Sequence, residues 1–241
     1  MEFTTHAIVL HSIKFGDAQV IIDLFTEQSG RLPFICRIPK TAKAKVKKQF
    51  FQPLTCLELN FDYRQNARLQ RMRDVRIAHP FSSIPFDPYK LAISLFIEEF
   101  LYHATRNEQV NAPLFQYVED SILWLDGCMR PVPNFHLVFM MRLSRFLGFY
   151  PNLEDRAPGC FFDLRNGYFT LDRPLHPDFL MPDDAARISL LMRMNFETMH
   201  LFAMSRADRN RCAETILDYY RLHIPNFPEL KSFDVLKALF D

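Results

Sequence analysis

The chain has 241 residues, 49% of them hydrophobic, with only six Gly and a formal net charge of +1. This composition excludes a disordered or collagen-like chain and leaves room for one large domain or two modest ones. Residues 1–80 carry 13 Lys+Arg against 7 Asp+Glu, while the rest carry 16 against 21. A basic first part ahead of an acidic second part points to a polyanion met by the first.

Strand-like alternation fills residues 3–80. Ile8 and Leu10 share one face of the first run, with Ala7 and Val9 on the other. Val20, Ile22 and Leu24 share a face of the second, after a turn at Gly16-Asp17. In the third, Leu32, Phe34, Cys36 and Ile38 face away from Arg31, Ile35 and Arg37. Thr55, Leu57, Leu59 and Phe61 form the fourth. Arg68 to Ile77 fits a bulged strand or a short helix. Five short strands suit a small closed barrel of the OB type, and an SH3-like or other small barrel fits the same periodicity.

Pro80, Pro85 and Pro88 mark a boundary, after which the pattern turns helical. We expect α+β architecture: an OB-type barrel over 1–80 and a helical domain over 81–241, with a small hairpin insertion at about 158–175. Helices are predicted from Pro88 to about Arg106, from Ala112 to Leu125, and from Pro133 to Gly148. Asn166-Gly167 signals the hairpin turn. Three more helices are predicted, from Asp183 to Met204, from a Ser205 cap to His223, and from a Ser232 cap to Phe240.

The interval between Glu27 and Glu58 contains no Asp or Glu, yet holds Arg31, Arg37, Lys40, Lys43, Lys45, Lys47 and Lys48. Phe34, Phe50 and Phe51 lie among or beside these charges. Cations of this density attract a phosphate backbone, and aromatic faces give unpaired bases a surface to stack on. A lysine-rich loop that only stays solvated is the plainer reading.

Signatures of catalysis are missing: there is no P-loop, no dinucleotide fingerprint, no G-x-S-x-G and no H-E-x-x-H. The eight histidines are scattered, and His103 and His200 read as helix residues rather than ligands. Glu98 and Glu99 are adjacent on a helix and point about 100° apart, so they suit capping or ion pairing better than shared chemistry. The five cysteines, Cys36, Cys56, Cys128, Cys160 and Cys212, form no Cys-x-x-Cys pair and read as reduced thiols. The N-terminus lacks the pattern of a signal peptide, and no apolar run is long enough to span a membrane. A soluble, cytoplasmic protein without metal or other cofactor is expected.

Several segments together resemble the RecO family of bacterial recombination mediators. In the first part they are Ala7-Ile8-Val9-Leu10, Lys14-Phe15-Gly16-Asp17, Leu24-Phe25-Thr26, Gly30-Arg31-Leu32 and Gln52 to Leu59. In the helical part they are Phe96-Ile97-Glu98-Glu99, Asn111 to Phe115, Leu147 to Pro151, and His223 followed by Leu230-Lys231-Ser232. The resemblance implies an OB fold on a helical domain with no catalytic site. It implies binding of single- and double-stranded DNA and annealing of complementary strands. It also implies work with RecR and single-stranded-DNA-binding protein so that a recombinase loads. Many family members carry a zinc ribbon of paired cysteines where this chain has only Cys160, and a tetrahedral site cannot be built from one thiolate. Family members also often have a glycine after the third strand, where Ile38-Pro39 stands here.

On this reading DNA contact falls to Arg31, Arg37, Lys40, Lys43, Lys45, Lys47 and Lys48, helped by Arg64, Arg68, Arg71 and Arg73. Phe34, Phe50, Phe51 and Tyr63 are the candidate stacking rings. Phe139, Leu143 and Phe146 beside Arg142 and Arg145 are the expected socket for the acidic, phenylalanine-ended tail of a single-stranded-DNA-binding protein. The competing class is a protein-interaction adaptor with no direct DNA role. A hydrolase is disfavoured, because no carboxylate or histidine cluster is visible.

Overall fold

The computed structural model describes residues 2–38, 46–106 and 108–239. The chain divides into two compact units, residues 1–128 with 230–236, and 129–229 with 237–241.

In the first unit β1 (Glu2–Phe15), β2 (Gln19–Thr26), β3 (Gly30–Arg37), β4 (Cys56–Asp62) and β5 (Gln70–His79) close a barrel in the order β1-β2-β3-β5-β4. All neighbours are antiparallel except β3 and β5, which run parallel with Phe34 opposite Gln70 and Ile35 opposite Arg71. This closure is that of an OB-type barrel and removes the SH3-like alternative. It also settles the fifth run as a strand, with its expected irregularity as register shifts against β4.

Alternation places Ala7, Val9, Ile22, Leu24, Leu57, Leu59 and Phe61 in the barrel core. Ile8 and Leu10, on the other face of β1, are buried as fully. The reason is that α1 (Pro88–Ala104) packs on β1, and that Phe115 of α2 (Ala112–Gly127) meets Phe25, with ring centroids 5.6 Å apart. Asp87 caps α1 by accepting the Tyr89 and Lys90 N–H groups, and Asn111 caps α2 through the Leu114 N–H. At the start of α6 (Lys231–Leu239), the Glu99 carboxylate accepts the N–H groups of Lys231 and Ser232 and the Ser232 hydroxyl. An acidic side chain suits the positive end of a helix.

In the second unit α3 (Phe135–Phe146) packs against α4 (Pro182–Arg193) and α5 (Arg206–His223). The Tyr220 hydroxyl donates to the Met140 carbonyl at 2.8 Å. The expected hairpin is a three-stranded sheet, with β6 (Phe161–Asp163) between β7 (Tyr168–Thr170) and β8 (Phe179–Leu180). The turn joining β6 and β7 spans 164–167, longer than the two-residue turn Asn-Gly signals, with Gly167 alone of its residues at positive φ (+70°). Helix α4 ends at Arg193 rather than Met204. There the chain enters a turn in which the Asn195 carboxamide accepts from Thr198, followed by a 3-10 turn at Met199–Leu201. A side chain competing for backbone donors is how Asn and Thr stop helices.

Candidate nucleic-acid interface

The parallel pairing of β3 with β5 brings cations distant in sequence to one place. Arg37, Arg71 and Arg73 line a single cleft of about 400 Å³, together with Gln19, Ile35, Val46 and Asp74. Arg73 is also bonded to Asp62 at 2.7 Å, which neutralises part of its charge. A second cleft of about 640 Å³ is lined by Lys14, Lys48, Ile13, Phe51 and Asp17 among others, and Gln19 borders both. The two therefore adjoin across the first residue of β2. Lys47 and Lys48 are exposed at the start of the 3-10 turn Lys48–Phe51.

Arg64 and Arg68 lie on the β4–β5 connection and are exposed. The buried Gln70 side chain pins this connection, accepting the Arg64 N–H at 3.0 Å and donating to the Arg64 carbonyl at 2.9 Å. Lys40, Lys43 and Lys45 lie outside the described residues.

Three expected contacts are corrected. Phe34 is fully buried in the barrel, its ring edge-on to Phe61 at 5.1 Å. Phe51 is 3% exposed and belongs to the same core, while its carbonyl accepts the Ser12 hydroxyl at 3.0 Å. Neither ring can receive a base. Phe50 is half-buried against that core. Arg31 is turned inward: it donates to the Tyr102 carbonyl at 2.5 Å and to Asp23 at 3.2 Å, with its side chain 12% exposed. A strand alternation assigns a face correctly but cannot say when a helix covers it.

Among the Phe and Tyr residues of the barrel that are described, only Phe15 and Tyr63 are exposed. Tyr63 follows β4, whose end pairs with the beginning of β1, and its ring sits edge-on to Phe3 at 6.0 Å. Phe15 closes β1 at the opposite end, beside the cationic clefts. Lys14, Phe15 and Gln19 were not among the candidates read from the sequence, because a turn signal hides where its flanking side chains lie.

The expected partner socket on α3 is also corrected. Phe139 and Leu143 are fully buried, and Arg142 donates to the Met194 carbonyl at 3.1 Å. Arg142 and Arg145 are exposed and Phe146 half-buried. An apolar face pointing into the unit reads in sequence like one pointing out. Elsewhere in the same unit a cleft of about 330 Å³ is lined by Pro158, Phe169, Pro182 and Leu190, with Arg156 and Arg193 at its rim.

The segment where a zinc ribbon was considered is organised by Asp163. Its carboxylate accepts the N–H groups of Arg165 and Asn166 and the Asn166 carboxamide, and meets His176 Nε2 at 3.2 Å. Burial opposes its ionisation, but these bonds outweigh it and hold the carboxyl below its usual range. Cys160 is buried, with its sulfur within 3.3 Å of the Ala157 N–H. Among the described residues no group of three or more His, Cys, Asp or Glu is placed to hold a metal ion. No described helix is long and apolar enough to cross a membrane.

An OB-type barrel whose clefts are lined by arginine and lysine belongs to the class of oligonucleotide-binding barrels. Residues 1–81 match the family model described as recombination protein O N terminal, and 85–232 match that of recombination protein O C terminal. The chain is 54% identical over 236 residues to the DNA repair protein RecO of Phocaeicola vulgatus, covering 98% of each. It is 54% identical over 238 residues to that of Bacteroides fragilis, again 98% of each. To the one of Azobacteroides pseudotrichonymphae it is 35% identical over 241 residues, all of both chains. The chain belongs to the RecO family of DNA repair proteins.

Proposed function

We propose that the chain is a recombination mediator without turnover of its own, which binds single- and double-stranded DNA on the barrel and anneals complementary strands. The observation that carries the reading is the gathering of Arg37, Arg71 and Arg73 into one cleft by the β3–β5 closure. Lys14 and Lys48 continue it in the adjoining cleft. Arginines from separate strands on one surface are the electrostatic footprint of a phosphate backbone. Lys40, Lys43, Lys45 and Lys47 extend it in sequence, and Arg64 and Arg68 lie on the β4–β5 connection.

Action with RecR and with single-stranded-DNA-binding protein, so that recombinase loads on coated strands, rests on the family. For the acidic, phenylalanine-ended tail of the latter, the cleft with Arg156 and Arg193 over Pro158, Phe169 and Leu190 suits both the charge and the ring. The decisive experiment is annealing of complementary strands already coated with cognate single-stranded-DNA-binding protein. Acceleration by stoichiometric protein supports the mediator. A protein that associates with RecR yet retains no DNA in filter binding is the adaptor instead.

A further inference from the structure

Cross-strand register sets two rows of side chains on the outside of the barrel, at the end where the cationic clefts lie. Ile13 stands opposite Ile21, Ile21 opposite Ile35, and Ile35 opposite Arg71. One step nearer the strand ends, Phe15 stands opposite Gln19 and Gln19 opposite Arg37. Residues directly paired across strands project to the same face. Their neighbours Val20, Ile22 and Phe34 fill the barrel core, which places these rows outside.

Each row therefore begins apolar on β1 and ends in a guanidinium. Ile13 is 48% exposed and Phe15 51%, while Ile21 and Ile35 are half-buried. Leaving an exposed phenylalanine and isoleucine side by side has a cost that solubility alone does not explain. Of the rings the sequence offered for stacking, Phe34 and Phe51 are in the core, Phe50 is half-buried, and the exposed Tyr63 lies at the opposite end of the barrel. The apolar part spans two inter-strand steps of roughly 5 Å, and the two rows lie about 7 Å apart along the strands. A sheet surface of that size accommodates two or three unstacked bases.

We propose that Phe15, with Ile13 and Ile21, is the surface on which this protein stacks unpaired bases, while Arg37 and Arg71 hold the phosphates that follow. The proposal rests on DNA binding by the barrel. It commits to single-stranded nucleic acid, because an apolar surface bordered by cations suits a chain that carries flat apolar faces on an anionic backbone.

The test uses the full-length protein and two probes, a fluorescent oligothymidylate and a blunt duplex of equal length. Phe15→Ala is expected to weaken single-strand binding about tenfold, with the salt slope unchanged. Duplex binding is expected to hold, because paired bases present no free face. Phe15→Trp is expected to keep single-strand affinity, and Phe15→Leu, apolar but without a flat ring, to lose it. A 2-aminopurine in the oligonucleotide should change emission with wild type and not with Phe15→Ala. Equal losses for single strand and duplex, or none for either, would overturn the proposal. So would a Phe15→Ala variant that keeps its DNA affinity but loses RecR, since the surface would then belong to a protein. If wild type binds neither probe, the mediator reading falls with it; if wild type binds both and Phe15→Ala is unaffected, only the stacking surface falls.

Discussion

The guanidinium of Arg31 lies over the ring of Tyr102, its carbon 4.1 Å from the ring centroid. The same side chain reaches the Tyr102 carbonyl and the Asp23 carboxylate, so it joins β3 to α1 and β2. A planar group with several donors and a stacking face suits such a junction, and lysine could not replace it. Arg31→Ala should therefore destabilise the first unit by about 1–3 kcal/mol, through the loss of charged hydrogen bonds and the cation–π contact. Urea unfolding measures this. Single-strand affinity and its salt slope should stay at wild-type values under conditions where the variant is folded. A flattened slope would return Arg31 to the DNA surface.

One turn earlier on α1, Glu98 is half-buried beside Glu99, and desolvation first, then the Glu99 charge, push its carboxyl up to about 7. His11 Nδ1 stands 3.7 Å away, and Arg31, Tyr102 and His103 border the same junction. Glu99 cannot easily give up its own charge, since it holds the start of α6. A carboxyl raised on folding binds its proton more tightly in the native state. Its contribution is fully present below the unfolded value near 4.5 and is lost as pH rises through about 7. Glu98→Gln should thus be nearly neutral at pH 5 and stabilising by on the order of 2 kcal/mol at pH 8. Chemical denaturation at the two pH values decides it. A variant weaker than wild type at pH 8 would show that the His11 contact dominates.

In the second unit the turn after β6 depends on the Asp163 carboxylate rather than on paired thiolates. Asp163→Ala should cost about 2–3 kcal/mol, the scale of hydrogen bonds to a charged acceptor left unmade. Because its pKa is depressed, its contribution is present above the unfolded value near 3.9 and disappears as pH falls through the folded one. A Cβ on Gly167 would lie 2.5 Å from the Tyr219 hydroxyl, which donates to the Phe149 carbonyl. With φ at +70°, Gly167→Ala should also destabilise. Elemental analysis of gently purified protein should find zinc far below one per chain; stoichiometric zinc would overturn this account of the turn.

The barrel was legible in the sequence because period-2 alternation survives wherever one face is buried, as in β2 and β3. The Ser205 cap of α5 was legible from local sequence too, and its hydroxyl accepts the Asp208 N–H. What could not be read was decided by partners far away in the chain. The fate of Phe34 depended on Phe61, that of Arg31 on Tyr102, and that of Phe139 on the packing of α3. The end of α4 at Arg193 was set by a side-chain turn that competes with the helical ladder, against a run of Met and Leu that favours it. The cleft of Arg37, Arg71 and Arg73 followed from a strand order that periodicity does not contain.

For the acidic tail, the two sites differ in a measurable way. Arg156→Ala with Arg193→Ala should weaken binding of a fluorescent peptide with that tail by about tenfold or more, since each cation loses a carboxylate contact. Arg142→Ala with Arg145→Ala should leave it nearly unchanged, because the apolar side chains beside them, Phe139 and Leu143, are fully buried and offer a ring no surface. Arg156 already donates to the Ser189 hydroxyl at 3.1 Å, so folding of the first variant is checked by circular dichroism. The reverse order of effects would restore the α3 location.

The opening charge of the chain gives the last expectation. Each cation that neutralises a phosphate of a single strand contributes roughly −0.7 to the slope of log K against log salt. Lys43, Lys45, Lys47 and Lys48 replaced together by Ala should flatten the slope by about 3 units, with no dependence on base sequence. Arg37→Ala with Arg71→Ala should flatten it by about 1.4 units. Adding Arg73→Ala should give less than a further full step, because Asp62 already neutralises part of that charge. All of these side chains that are described are exposed, so unfolding midpoints should move little. Phe15→Ala should do the opposite, lowering affinity at every salt concentration in parallel with wild type. Fluorescence anisotropy titrations between about 50 and 200 mM salt separate the two behaviours. If the quadruple and the double variants both keep the wild-type slope while remaining folded, the barrel's cations do not meet a phosphate backbone and the DNA reading of this surface fails.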